Sequence, residues 1–327
     1  MRKFILVAIC LSIPSIGLAA SVCNIDKKNY NSLEKVYKLG KIRVFYSTNP
    51  TSVDKLPHQT DLNNNSIPDY VEDVALQAKT AGEALNYLGF TDPLESKRYK
   101  GVAEYIDINL VSESGGVAYE IPQRADTQIK ENKCALLIQL TNNISDFPGS
   151  WSIVSHELFH LYQYGYAQFK RGWYGEGSAN WAERVIRVGG HKYVTGPNPL
   201  PQNMEELKLK VYAEHYNNLW SRLAELSEKN NGAMLLPTEL LNRKYVNGSK
   251  VIKDDQLNGY AFMIRFMDNL RIKSEQISFN NNWDPYAWGA NKRLESNNAI
   301  ILAVIQDTMH QFGMNKTKEE QEFLNIK

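Results

Sequence analysis

The sequence has little cysteine, almost no net charge and no long hydrophobic run beyond its first twenty residues. It contains 37 Lys and Arg against 36 Asp and Glu. It therefore lacks the basic excess typical of nucleic-acid-binding proteins, and we expect no nucleic-acid partner. Its 43% hydrophobic residues also exclude the disordered class, which combines few apolar residues with a high net charge. The sequence therefore indicates a folded, globular protein, but composition alone assigns no chemistry.

The first twenty residues form a separate segment. Two basic residues precede an apolar stretch at 4–18, and small residues follow at 19–21. This is the layout of a secretory signal peptide. A membrane anchor is the alternative, but the stretch is shorter than the ~20 residues of a spanning helix. We therefore expect a signal peptide at 1–20, cleaved near Ala20, a secreted or periplasmic protein, and no stable membrane insertion.

Only three cysteines occur, and Cys10 belongs to the predicted signal peptide. The mature chain keeps Cys23 and Cys134, neither of which lies in a CxxC spacing. In an oxidising compartment two cysteines can form one disulfide, which here would tie the N-terminus to the middle of the chain. Two free thiols are the alternative.

The spacing of apolar residues predicts strands mainly in the first half of the chain and helices in the second. Strands are expected at 41–47, where alternation predicts a half-buried strand, and at 105–111, 117–121 and 134–140. Helices are expected at 71–88, 151–166, 175–188, 204–228, 256–271 and 297–312. This order indicates an α+β fold. We expect one folded unit, with an N-terminal part at 21–200 and a mainly helical part at 201–327.

The segment His156-Glu157-Leu158-Phe159-His160 falls within a predicted helix. Residues at i and i+4 project from one face of a helix, so both imidazoles can reach one metal ion. Glu157 is rotated by about 100° from His156, which places it beside the metal, within reach of a bound water. The alternative is a pair of structural histidines without a metal.

A zinc site with two histidines needs a third protein ligand and an open fourth position. A third His is absent at the HExxHxxGxxH spacing, where Gln163 replaces the Gly and Tyr166 the His. Residues 173–181 instead have the form WxxEGxAxW, with Glu176 as the acidic residue. This segment offers a carboxylate as the third ligand.

In these two segments the chain resembles the gluzincin metallopeptidases, whose third zinc ligand is the Glu of a downstream WxxEGxA helix. The resemblance implies that His156, His160 and Glu176 bind zinc and that Glu157 is the general base. With the segments at 61–72 and 88–90, the chain also resembles a group of secreted bacterial metallopeptidases over roughly residues 41–190.

That resemblance implies a zincin-like fold, in which a mixed sheet packs on the HExxH helix, and the hydrolysis of protein or peptide substrates. A looser similarity in the C-terminal part makes Tyr260 the first candidate for the donor that stabilises the oxyanion. Glu183 lies seven residues after Glu176, about 10 Å along the same helix face, which is too far to share the ion. It could instead accept a hydrogen bond from a ligand histidine, with an ordinary solvated carboxylate as the alternative. His191, His215 and His310 are expected to be structural or surface residues.

Six residues before and at the start of the first helix match the EF-hand ligand schedule at loop positions 1, 3, 5, 7, 9 and 12: Asp61, Asn63, Asn65, Ile67, Asp69 and Glu72. Ser66 stands where the schedule has Gly, and Pro68 is also unusual. We expect a structural calcium site, with a metal-free, turn-rich loop as the alternative. A non-catalytic secreted calcium-binding or adhesion protein is accordingly the alternative to a peptidase.

Overall fold

The computed structural model describes residues 23–127, 129, 133–187, 199–215 and 217–327. The predicted signal peptide and His191 lie outside these residues. The strands are β1 Asn24–Tyr30, β2 Lys35–Leu39, β3 Ile42–Tyr46, β4 Tyr105–Val111, β5 Gly116–Thr127 and β6 Ala135–Thr141. The α-helices are α1 Asp69–Leu88, α2 Ile153–Tyr166, α3 Gly172–Ala182, α4 Met204–Leu207, α5 Leu219–Ser227, α6 Thr238–Leu241, α7 Tyr260–Asn281, α8 Asn297–Gln311 and α9 Lys318–Leu324.

The strands form one mixed, six-stranded sheet in the order β1-β5-β6-β4-β3-β2. Strands β3, β4 and β6 are parallel neighbours, whereas β5 runs antiparallel to β6 and β2 antiparallel to β3. The predicted α+β class is therefore confirmed. Strands β1 and β2 were not predicted, because the short segments that form them lack a clear alternation of apolar residues.

The prediction that the strand at 41–47 is half-buried was wrong. All five residues of β3 are buried, because a second cluster of buried side chains, which includes Phe45 and Leu137, lies on the other face of the sheet. Arg43 points to the second face, where its Nε lies 2.7 Å from Oδ1 of Asp107 and both side chains are 1% exposed. An ion pair can satisfy a buried charge, so a polar residue in the alternating pattern does not mark a solvent-facing side here.

The prediction of one helix at 204–228 was also wrong. The chain forms α4, a π-helical turn at Lys208–Tyr212, and then α5. Asn217 lies between them, where its Oδ1 accepts a hydrogen bond from the N–H of Leu219 at 3.2 Å and its Nδ2 donates to the carbonyl of Trp173 at 3.1 Å. Asparagine side chains that bond to the backbone compete with helical hydrogen bonds, and Asn217 does so before α5.

One continuous hydrophobic core joins the sheet to the C-terminal helices, with Ile108 of β4, Leu158 of α2, Phe262 of α7 and Ile301 of α8 all at most 1% exposed. Helix α2 therefore lies between the sheet and the C-terminal part. Within the described residues, none of the helices has the length and apolar character needed to cross a membrane.

The structure joins Cys23 and Cys134 in a disulfide, with their Cα atoms 5.9 Å apart and 111 residues of separation along the chain. The sequence left open a disulfide or two free thiols, and the structure has the disulfide. Cys134 directly precedes β6, so the bond ties the start of the described chain to the middle of the sheet.

Candidate metal centre

Helices α2 and α3 bring three potential metal ligands to one point. His156 and His160 lie one turn apart on α2, with ring centroids 4.9 Å apart. Glu176 comes from α3, and its Oε2 lies 3.1 Å from Nε2 of His156 and 3.5 Å from Nε2 of His160. One ligand atom from each residue lies within 4.8 Å of the others, so the group could hold a metal ion.

The outer nitrogen of each imidazole has an acceptor of its own. Nδ1 of His156 lies 2.8 Å from Oε1 of Glu183, and Nδ1 of His160 lies 2.8 Å from Oε1 of Gln163. An Nδ1 that donates to these oxygens leaves the lone pair of Nε2 free. Both lone pairs then face the Glu176 carboxylate, so the three residues could hold a cation between them, either a metal ion or a proton.

The orientation of Gln163 follows from its other hydrogen bonds. Its Nε2 donates to the carbonyl of Gly175 and to the hydroxyl of Ser178, both at 2.8 Å. The amide oxygen must therefore point to His160. Gln163 was not among the predicted site residues, although its i+3 position after His160 places it on the same helix face.

The carboxylates around His156 make this part of the site strongly negative. Burial lowers the pKa of His156, but hydrogen bonds with Glu176 and Glu183 outweigh it and raise that pKa to about 10. Burial raises the pKa of Glu176, but its contacts with His156 and His160 hold it well below the usual range. The pKa of Glu183 is lowered in the same way, against the effect of its burial. Without a metal ion, the cluster therefore retains a proton on His156 well above neutral pH.

Glu157 lies beside the three potential ligands. It is buried, and burial raises its pKa in spite of the neighbouring histidines. The backbone N–H of Ala118 donates to its carboxylate. A Cβ atom at Gly116 of β5 would lie 2.7 Å from Oε1 of Glu157, so the carboxylate occupies the space of an absent side chain. Gly116 was not predicted, because this contact joins positions 41 residues apart in sequence.

We expect the metal-free protein to lose stability as the pH rises from about 6.5 towards 10. The folded state binds the His156 proton more tightly than the unfolded chain, because its folded pKa is about 10 against an ordinary 6.5. This contribution is complete below pH 6.5 and is lost as the pH passes through the folded pKa, at up to about 1.4 kcal/mol per pH unit. A bound metal ion would replace the proton. Urea unfolding at several pH values should therefore show the loss only in chelator-treated protein, and parallel curves with and without metal would contradict it.

The predicted oxyanion donor, Tyr260, is not brought to this cluster. It is the first residue of α7 and lines a separate cavity with Leu88, Ile264 and Phe312. The predicted support from Glu183 corresponds to the observed contact with His156. Among the other histidines, His215 and His310 are exposed.

The residues of the predicted calcium loop lie together ahead of and in the first turn of α1: Asp61, Asn63, Asn65, Ile67, Asp69 and Glu72. Asp61 accepts hydrogen bonds from the backbone N–H groups of Asn65 at 3.1 Å and Ser66 at 2.8 Å. The side-chain amides of Asn63 and Asn65 donate to Glu72 at 2.9 and 2.8 Å. Ser66 has a φ of 72°, the left-handed conformation that usually requires Gly at this position.

No family model matches the chain, and comparisons with curated proteins and with solved structures find no significant similarity. The fold and the site define an α+β protein with two histidines and one glutamate in position to hold a metal ion. The functional assignment therefore depends on the chemistry of these residues.

Proposed function

We propose that the chain is a secreted or periplasmic zinc-dependent peptidase of the gluzincin type, acting on protein or peptide substrates. The observation that carries this proposal is the convergence of His156, His160 and Glu176, with buried Glu157 beside them. Two imidazoles and a carboxylate suit zinc and leave a fourth position for water or substrate. A disulfide is typical of an oxidising compartment, which agrees with the signal-peptide pattern.

The proposal includes a zincin-like fold. It is supported by the packing of α2, the helix that carries both histidines, against β5 and β6 of a mixed sheet. It is also supported by the Glu on the next helix, α3, and by the mainly helical chain that follows.

In the proposed reaction, residues of the chain transfer the proton and orient the metal ligands. Zinc bound by these residues would supply a Lewis acid, which lowers the pKa of a water molecule to about 7 and polarises a carbonyl group. Glu157 accepts a proton from the attacking water and passes it to the leaving nitrogen, and its raised pKa suits both steps. Glu183 and Gln163 hold the two imidazoles in orientation. We assign no role to Tyr260, because it lines a different cavity.

Metal content and proteolysis together test the proposal. The purified mature chain should contain about one zinc ion, cleave an unfolded substrate such as casein, lose this activity in a chelator and regain it with zinc. A His156→Ala variant should lose both zinc and activity. Cleavage that survives complete metal removal would overturn the proposal. A chain that binds zinc but cleaves nothing would favour the non-catalytic calcium-binding or adhesion protein.

We also propose that the loop at 61–72 binds calcium as a structural ion. Carboxylates at Asp61 and Glu72 and the left-handed backbone at Ser66 support this proposal. Calcium at 10 mM should raise the midpoint of thermal unfolding by about 5 °C, because an ion that binds only the folded state stabilises it. An Asp61→Ala variant should show no such rise, and magnesium should not substitute. Equal midpoints with and without calcium would rule out the site.

A further inference from the structure

A cavity of about 210 Å³ adjoins the candidate metal centre. Its lining includes the ligands His160 and Glu176 and three cationic side chains, Lys170, Arg171 and Arg293. We call the part formed by these three cations the cationic pocket. A sphere of this volume is roughly 7 Å across, about the length of two extended residues. A group in the pocket would thus lie within about two residues of a bond held at the metal centre.

The two arginines of the pocket have no carboxylate partner within 4.0 Å among the described residues. Arg171 donates from Nε to Oδ1 of Asn298 at 2.8 Å and from Nη1 to the carbonyl of Arg293 at 2.7 Å. Both acceptors are neutral and leave other N–H groups of Arg171 available. Arg293 is exposed at the rim.

The carboxylate of Glu120 is shared by several other basic side chains near the pocket. Glu120 forms a close ion pair with Lys292 and lies 3.6 Å from Nζ of Lys170 and 3.9 Å from Nη2 of Arg98. Burial lowers the pKa of Lys170; Glu120 opposes this effect, while Lys292 and Arg293 lower that pKa further. The pocket therefore has an excess of positive charge.

The cationic pocket is built on rigid neighbours of the metal centre. The ring of Tyr164 stacks on His160, with centroids 6.2 Å apart, and Nζ of Lys170 lies 4.9 Å from the centre of the Tyr164 ring. The backbone N–H of Lys170 donates to the carbonyl of Lys292 at 2.9 Å. Arg171 directly precedes α3, whose N-terminus carries a positive partial charge. The side chains of Lys170 and Arg171 are thus held in place before a ligand binds.

We infer that the cationic pocket binds a carboxylate group of the substrate close to the bond that is cleaved, and this inference rests on the proposed peptidase function. The carboxylate belongs either to an Asp or Glu side chain or to a free C-terminus. Arginine binds carboxylates through paired, charge-assisted hydrogen bonds. Glu176, the acidic residue in the lining, is already engaged by the two histidines.

Matched peptides test the inference and distinguish the two sources of carboxylate. One set of quenched eight-residue alanine peptides carries a single Glu moved position by position, a second set carries Gln instead, and a third compares a free C-terminus with a carboxamide. We expect kcat/KM to be about tenfold higher for the carboxylate peptide in one of the two comparisons, either Glu against Gln or free C-terminus against carboxamide. The comparison that shows the difference identifies the source of the carboxylate. Arg293→Gln and Lys170→Met should each reduce that preference severalfold. Arg265→Gln, at an exposed residue of the separate cavity, should leave it unchanged.

A binding measurement separates this inference from the proposed activity. Calorimetric titration of the metal-free protein with N-acetyl-Ala-Glu should show at least fivefold tighter binding than N-acetyl-Ala-Gln-amide, and Arg293→Gln should abolish the difference. Equal cleavage of carboxylate and amide peptides by the unmodified chain would overturn the inference and leave the peptidase proposal intact. If no peptide is cleaved, the peptidase proposal fails. Equal binding of the two dipeptides would then overturn the carboxylate site as well.

Discussion

A Glu157→Gln variant should lose about 10³-fold in kcat/KM for peptide hydrolysis while keeping its zinc. Glutamine has nearly the same size as glutamate and can still accept the hydrogen bond from Ala118, so the buried position remains filled. It cannot accept and return a proton, which is the role proposed for this residue. Initial rates on a quenched peptide and metal analysis of the same preparation give the two readouts.

The result is specific only with a matched control. Glu239 on α6 is 88% exposed, so Glu239→Gln removes the same charge at the surface and should leave the rate unchanged. If Glu157→Gln cleaves peptides as fast as the unmodified chain, Glu157 is not the base and the proposed mechanism is wrong. If that variant also loses its zinc, the assignment of Glu157 to a position beside the metal is wrong.

Removing the disulfide should lower the free energy of unfolding by about 4 kcal/mol. The bond between Cys23 and Cys134 closes a loop with a sequence separation of 111 residues, and a loop of about 100 residues corresponds to roughly 4.7 kcal/mol in the chain-entropy model. A variant with both cysteines changed to Ala, compared with the unmodified chain by urea unfolding, measures the difference. Small native proteins commonly show losses of this size.

Reduction provides the control for this second prediction. A thiol reductant should destabilise the unmodified chain to the level of the double variant and should have no effect on that variant. Equal unfolding midpoints for the oxidised, reduced and double-variant proteins would show that the bond contributes nothing.

The parts of the fold that could be predicted are those with a local pattern. The helix expected at 71–88 ends as expected, because Gly89 takes the left-handed conformation with φ of 109° that stops a helix. The strand at 105–111 also has the predicted bounds. Helix periodicity similarly placed His156 and His160 on one face, and the structure brings them together.

The parts that could not be predicted depend on contacts between distant segments. Asn217 interrupts a helical pattern because it bonds to Trp173, which is 44 residues away. The alternating pattern predicts that Arg43 is exposed, yet its side chain is buried and forms an ion pair with Asp107. Neither partner can be chosen from sequence spacing alone. The third candidate ligand, Glu176, was predicted only through the resemblance of its segment to a known pattern, since helix geometry does not relate α2 to α3.

The contact between Gly116 and Glu157 offers a way to search for substrates of the proposed peptidase. A Cβ atom at position 116 would lie 2.7 Å from Cγ and Oε1 of the buried Glu157 side chain, so this side chain would have to shift. We expect a Gly116→Ala chain to turn over at least a hundredfold more slowly, because the shifted carboxylate is misplaced for proton transfer, while His156, His160 and Glu176 still hold zinc. Such a protein could be used to capture substrates, since it keeps the candidate metal ligands His156, His160 and Glu176. Polypeptides retained on it from culture medium, but not on a His156→Ala chain, would be candidate physiological targets.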